Sequence, residues 1–301
     1  MKIALTGATG FLGRHLLKAL LGAGHEVHAL IRSPSKVPSD LQEHPALTIF
    51  QGDLQSDLTE WAKDADCTVH LAGLIKARTR AEFMAINAES AGRVAQAAQD
   101  AGVARFILLS SMAAREPQLS GYAASKAAGE AAARAAYTKG ALAIIRAPAV
   151  FGPNDTATAP IFALLKKGLL PVAGGGWKNV NLSMVYVDDL VRDILDHAIS
   201  GSYDGRTVSP STIPSMSWQM FADFAAQALI RPVRVLPIPL FIMKSVATIT
   251  SVTLRLFGAG HLTLEKLREF RHADWTSSDE IDNPTSMIEA LRITAASYEK
   301  D

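Results

Sequence analysis

Cys67 is the only cysteine in this chain of 301 residues. A lone cysteine excludes an internal disulfide and suits a reducing, cytoplasmic setting, where its expected place is that of a small buried residue inside a strand. Charge of one sign is lacking too. The 30 basic and 29 acidic residues leave a formal net charge of +1, which argues against a nucleic-acid partner. No His, Cys, Asp or Glu cluster has metal-ligand spacing, so no metal is expected, and His25, His28 and His70 fall on or beside strands, where structural roles are expected. The run "MKIALTGATG" is too short and too broken by glycine for a secretory leader. No stretch reaches the roughly 18 clean apolar residues that a membrane-spanning helix needs, although 236–257 comes near.

What is present is an alternation. Apolar runs at 2–6, 26–31, 47–50, 67–73, 105–111 and 142–147 read as strands, and between them lie helical patterns, clearest at 11–21, 81–101 and 121–138. That rhythm predicts βαβ units and a parallel sheet. After residue 150 prolines and glycines multiply, and from 214 onward the pattern is mostly helical, at 217–229, 239–257, 263–272 and 284–298. Asn283 followed by Pro284 predicts the start of the last helix, a capping residue and then proline at the first helical position. The expected class is α/β, a Rossmann-type doubly wound parallel sheet with a smaller, mostly helical C-terminal substrate domain. The first domain is expected over 1–155, with 177–205 returning to it, and the second over 156–176 and 206–301.

"TGATGFLG", residues 6–13, lies between the first strand and the first helix. Gly7 permits a tight turn, Gly10 lets backbone approach a pyrophosphate, Gly13 allows close helix–strand packing, and the helix N-terminus supplies N–H groups. Around them, Thr9, Phe11 and Leu12 complete the expected cofactor loop. A site for NAD usually has a carboxylate after the second strand. Here "IRSPSK" offers Arg32, Ser33 and Lys36 instead, a guanidinium, a hydroxyl and an ammonium that suit a 2′-phosphate. NADP(H) is therefore the expected cofactor.

"GYAASKAAGE", residues 121–130, sets Tyr122 four positions before Lys126 at a helix start, which puts both on one face a turn apart. With that pair in view, the chain resembles the extended, epimerase/dehydratase-like branch of the short-chain dehydrogenases/reductases. The resemblance rests on "TGATGFLG", "GDL" (52–54), "HLAG" (70–73), "INAESAGRVAQAAQDAGVARFILLSS" (86–111), "YAASK" (122–126), "RAPAVFGP" (146–153) and "VYVDDL" (185–190), in that order. It implies that Asp53 and Leu54 flank the adenine, that Leu71, Ala72 and Gly73 line the pyrophosphate and ribose, and that Pro148 and Val150 lie near the nicotinamide. It also implies that Tyr122 is the general acid, protonating a carbonyl oxygen as hydride arrives. Lys126 would lower the phenol's pKa, which is near 10 for a free phenol, and hold the nicotinamide ribose. Ser111 would hydrogen-bond the substrate oxygen, and Asn87 matches an asparagine beside the active site. One departure stands out. Ser111 and Tyr122 are only eleven residues apart, through "SMAAREPQLSG", and Arg115–Glu116–Pro117 replaces the Tyr-Gly pair that sugar-nucleotide epimerases usually carry there.

Elsewhere, "AGGGW" (173–177) lacks the Lys-Ser/Thr of a phosphate loop, and "IKARTR" (75–80) is a basic loop that is either solvated or an anion contact. The segment 236–257 is the best guide to the substrate. On a helix beginning after Pro239, Lys244, Thr248, Ser251 and Arg255 form one narrow polar stripe in an otherwise apolar surface. Burial in the C-terminal domain or a homodimer interface, a wall of the substrate pocket, and a helix lying on the inner face of a membrane are the readings open to 239–257. "LTLEKLREFRHADW" (262–275) resembles the 3β-hydroxysteroid-dehydrogenase-like sub-branch, bacterial reductases of 3-oxo-sphingoid or oxidised ceramide substrates, and the complex I accessory subunit of the same fold. The expected activity is NADPH-dependent reduction of a lipid-like ketone of the sphingolipid type. A nucleotide-sugar epimerase or dehydratase and a non-catalytic NADPH-binding structural subunit are the alternatives.

Overall fold

The first strands of this computed structural model are nearly continuous in apolar residues, and both their faces are covered, as parallel sheets require. The structure describes residues 1–257 and 262–298, with the side chains of 255–257 outside that description. β1 (Lys2–Thr6), β2 (Glu26–Ile31), β3 (Leu47–Gln51), β4 (Cys67–His70), β5 (Arg105–Ser111) and β6 (Ala141–Ala147) lie in the spatial order β3-β2-β1-β4-β5-β6, and Thr207–Val208 adds a short edge beside β6. β1 pairs in parallel with β2 and β4, as do β2 with β3 and β4 with β5, with Ile3 opposite Val27 on one side and Cys67 on the other. The order reverses between β1 and β4, and that point opens the crevice in which doubly wound sheets bind ligands.

The connecting helices are α1 (Phe11–Gly22), the short α2 (Thr59–Ala62) and α3 (Arg80–Met84), α4 (Ser90–Asp100) and α5 (Gly121–Ala136). A core of Trp61, Val94, Phe106, Tyr137 and Ile144 packs between sheet and helices. Each fully buried side chain of this size contributes about 1.5–3 kcal/mol relative to exposure. The polar tips in that core are satisfied: Trp61 Nε1 donates to the His28 carbonyl at 2.8 Å, and Tyr137 Oη to that of Val103 at 2.5 Å. Cys67 is fully buried in β4, and burial pushes its thiol up to about 12, so it stays protonated and inert.

The helical stretch expected over 81–101 is interrupted. Residues Ala85–Glu89 form a π-helical turn between α3 and α4, and Asn87 sits in it. β4 also ends at His70 rather than running to 73, because the chain after it is held by side chains described below.

The chain divides into two compact units, Met1–Arg146 with Val191–Val208, and Ala147–Leu190 with Ser209–Asp301. Compared with the expected division, 147–155 and 177–190 cluster with the second unit, and 206–208 join the first. Strand pairing is the reason. β7 (Ala149–Phe151) pairs with β9 (Asn181–Tyr186), whose other partners are Ile213–Ser217 and Asp274–Trp275. Pro148 and Val150, expected near the nicotinamide, are thus part of the second unit, where Val150 pairs with Val185.

That unit also holds α6 (Ala159–Leu165), a two-stranded pair of β8 (Leu169–Ala173) with Arg234–Ile238, the start of α7 (Val187–Ser200), then α8 (Trp218–Ala228), α9 (Leu240–Phe257), α10 (Leu264–Arg271) and α11 (Met287–Ser297). The last helix begins three residues later than Asn283–Pro284 predicts. The buried Asp189 carboxylate accepts hydrogen bonds from the Thr285 hydroxyl at 2.7 Å and the Thr285 backbone at 3.0 Å, as well as from Thr212 Oγ1 at 2.6 Å. Thr285 is held outside the helix, and Ser286 Oγ becomes the cap, accepting from Glu289 N at 3.2 Å.

Candidate active site

At the switch point the chain turns sharply out of β1. Gly7 has φ +76°, and a β-carbon there would stand 2.7 Å from the backbone nitrogen of Ala72 and 2.9 Å from the carbonyl carbon of Leu71. Only glycine fits both the dihedral and that approach. Gly10 donates its N–H to Gly7 O at 2.9 Å and caps α1 without any side chain bonding to the first turn, which also carries no acidic residue. A β-carbon on Gly13 would collide with the Gly7 carbonyl, so the helix sits directly on the loop. Phe11 opens the helix with its ring edge-on to His15, Leu12 is buried, and the Thr9 carbonyl accepts from Arg14 Nε at 2.9 Å. Bare N–H groups at a helix start, next to backbone with no β-carbons in the way, fit a diphosphate.

Beyond β2, Arg32 is exposed, Ser33 is half-buried at the N-cap of a short 3-10 turn, Pro34–Lys36, and Lys36 ends that turn in solvent. Asp53 follows β3 and is exposed. The Gln55 backbone N–H, then Ser56, hold its carboxyl below the usual range, and the Arg32 charge adds to them. Leu54 leans on the core cluster, and its carbonyl accepts from Arg93 Nε at 3.1 Å.

The third group of residues converges on α5. Ser120 Oγ accepts from Ala123 N at 2.9 Å and starts the helix just before Tyr122, whose ring lies 5.9 Å from that of Phe83. One turn on, Lys126 Nζ donates to the carbonyl of Leu109, on β5, at 2.7 Å. Burial pushes this ammonium down to about 8 while the charge of Glu130 pulls it back up, so it remains protonated at neutral pH. Ser111 Oγ accepts from Ala113 N at 3.2 Å, which leaves the hydroxyl proton to point elsewhere.

Asn87 is buried and works on both sides of the crevice. Its Oδ1 accepts from Leu74 N at 2.7 Å, and its Nδ2 donates to Leu74 O at 2.9 Å and to Ser125 Oγ at 3.0 Å. It therefore pins the loop of Leu71, Ala72 and Gly73 to α5; a β-carbon on Gly73 would come within 3.0 Å of Asn87 Oδ1 and 3.9 Å of Lys126 Nζ. The π-helical turn aims Asn87 inward, as such turns often do at functional sites.

Four supporting residues escape motif reading. Ser125 lies inside "YAASK" but acts through Asn87. Gly129 lets α5 approach the π turn, since a β-carbon there would collide with the Asn87 carbonyl. Glu130, four residues after Lys126 and buried, accepts from Ser110 Oγ at 2.6 Å and from Arg146 through two bonds of 2.8 Å. Thr6 Oγ1 lies 2.7 Å from His70 Nδ1 and accepts from Ala72 N at 3.2 Å, so this buried pair fixes the end of β4. Their i, i+4 spacing or position at a strand end was the only signal in the sequence.

His70 is held down to about 3 by burial and then by the Lys126 charge, and His197, also buried, to about 4 by burial. Between these values and about 6.5 the unfolded chain binds protons that the folded one does not. Stability is therefore complete above pH 6.5 and falls as pH drops towards 4, by about 1.4 kcal/mol per pH unit for each histidine. Urea unfolding at pH 6.5, 5.5 and 4.5 measures this slope. His70→Gln is expected to reduce it by about half, and an unchanged slope would remove His70 from the account.

Comparison with known proteins agrees with this architecture. Residues 3–200 match the NAD dependent epimerase/dehydratase family. The chain is 37% identical over 288 residues to a ceramide reductase of Caulobacter vibrioides, covering 92% of this chain and 86% of that protein. It is 33% identical over 198 residues to 4-hydroxy-2-methyl-3-oxo-4-farnesyl-3,4-dihydroquinoline-1-oxide ketoreductase of Stigmatella aurantiaca, covering 58% of each. Among solved structures, UDP-glucuronic acid 4-epimerase of Bacillus cereus, in complex with NAD, superposes with a TM-score of 0.72 at 17% identity, over 100% of this chain and 99% of that one. With the glycine loop, the switch-point crevice and this match over most of its length, the chain belongs to the NAD dependent epimerase/dehydratase family, the extended branch of the short-chain dehydrogenases/reductases.

Proposed function

We propose that the protein is an NADPH-dependent ketoreductase of a hydrophobic, lipid-like ketone, a 3-oxo-sphingoid base or an oxidised ceramide. The observation that carries the reading is the 37% identity to a ceramide reductase over 92% of the chain, which necessarily reaches beyond the family match at 3–200 into the second unit.

A bound nicotinamide dinucleotide supplies the hydride; the chain's own residues do the rest. Gly7, Gly10 and Gly13 with the α1 N-terminus hold the diphosphate, Asp53 and Leu54 border the adenine, and Leu71, Ala72 and Gly73 form the wall that Asn87 keeps in place. Arg32, Ser33 and Lys36 meet the 2′-phosphate with two positive charges and a hydroxyl donor. Tyr122 Oη gives its proton to the carbonyl oxygen as the alcohol forms, and Ser111 donates a hydrogen bond to the same oxygen. Lys126, protonated and half-buried, favours loss of that phenolic proton and takes part in holding the ribose.

The test is cofactor oxidation with detergent-dispersed 3-oxo ceramide, run beside UDP-glucuronic acid. NADPH oxidation that requires the ceramide and prefers NADPH to NADH is the expected result. Tightly retained NAD, with UDP-sugar turnover and no lipid reduction, would overturn the reading in favour of an epimerase.

A further inference from the structure

α9 is docked by a narrow seam and bare over a wide apolar arc. At about 100° per residue, its described side chains separate into three sectors. Met243, Ala247, Thr250 and Leu254 form the seam, with Ala247 and Leu254 buried and the other two half-buried, and α10 packs against this helix. Lys244, Thr248 and Ser251 make a polar stripe at one border of the seam. The rest, an arc of about 140°, carries Phe241, Ile242, Val246, Ile249 and Val252, with the hydroxyl residues Ser245 and Thr253 between them. Phe241 is 72% exposed and Ile249 64%, and the other three are exposed as well. Large apolar side chains lined up on one helix face mark an interaction surface.

Two further observations say what covers it. The hydroxyls of Ser245, Thr248, Thr250, Ser251 and Thr253 all donate to backbone carbonyls of α9 itself, at 2.6–3.0 Å. Hydroxyls satisfied in this way lose little on leaving water and ask nothing of a partner. In addition, no acidic residue occurs between Asp223 and Glu265, whereas Arg231, Arg234, Lys244 and Arg255 are all basic. That imbalance complements an anionic surface and opposes a second copy of the same segment. Among the described residues no helix is long and apolar enough to cross a membrane.

We infer that α9 docks the protein on an anionic lipid bilayer, with the Phe241–Ile249 arc at the acyl boundary and Lys244 at headgroup level. The inference stands on the helix alone and holds whatever the active site reduces. It is tested by sedimenting the full chain with phosphatidylcholine vesicles, with and without phosphatidylglycerol. Binding should increase about tenfold with the anionic lipid and fall with added salt. The Phe241→Glu/Ile249→Glu double substitution should reduce it about tenfold with NADPH binding and melting temperature preserved. Lys244→Glu, a milder change, should weaken only the dependence on phosphatidylglycerol. Equal binding by the double variant, or no binding by the parent, would overturn the inference. So would a dimer in light scattering that the double variant dissolves without any vesicle binding, which would assign the arc to a second copy.

Discussion

Under the proposed function, Tyr122→Phe is expected to lower turnover of 3-oxo ceramide by a factor of about 10²–10⁴, the range that a positioned general acid supplies, and to leave NADPH affinity unchanged. The phenyl ring that remains still packs against Phe83, and Lys126 keeps its bond to the Leu109 carbonyl. These contacts of the ring and of Lys126 do not involve the hydroxyl that is removed. Steady-state turnover and fluorescence titration of NADPH read the two quantities separately. A factor of 10³ corresponds to about 4 kcal/mol of transition-state stabilisation. Loss of NADPH binding together with activity would make Tyr122 a structural residue, and undiminished turnover would place the proton donor elsewhere.

Under the proposed function, Arg32→Glu is expected to reverse cofactor preference. The substitution would remove the proposed charge-assisted contact to the 2′-phosphate, worth about 1.5–3 kcal/mol, and add a carboxylate that repels the phosphate and accepts from a ribose hydroxyl. Asp53, near enough to feel the Arg32 charge, then has a second carboxylate for a neighbour. The ratio of kcat/KM for NADPH over NADH is expected to fall by about 10²–10³. Arg32 is exposed after β2, so the melting temperature should hold. An unchanged ratio would mean that the phosphate is held elsewhere or that NAD is the natural cofactor.

The parts of the fold that sequence makes legible are those determined locally. β1, the glycine loop and α1 follow from an apolar run, three glycines and a helical period within about twenty residues. The Tyr122/Lys126 pair is equally local, because four residues make one helical turn. Asn87 is another matter. Its residue type is visible, but the π-helical turn that aims it depends on Leu74 and Ser125, one before it and one far along the chain. α11 starts later than Asn283–Pro284 predicts for a similar reason, since Asp189 reaches across nearly a hundred positions to hold Thr285 out of the helix. The division into units likewise turns on strand pairing between β7 and β9, which no short window contains. In α9 the periodicity gave the polar stripe, yet which of the remaining arcs meets α10 and which stays bare is a tertiary fact.

The central claim, hydride delivery to a lipid ketone, is tested most directly by isotope transfer. NADPH carrying deuterium at nicotinamide C4 would be oxidised with 3-oxo ceramide as acceptor, and the lipid product analysed by mass spectrometry. The account predicts one deuterium per reduced ceramide, on the carbon that bore the ketone, with labelled product forming about 10²–10⁴-fold more slowly with Tyr122→Phe. Cofactor oxidation without deuterium in the lipid, or turnover of a UDP-sugar with no net cofactor oxidation, would contradict it.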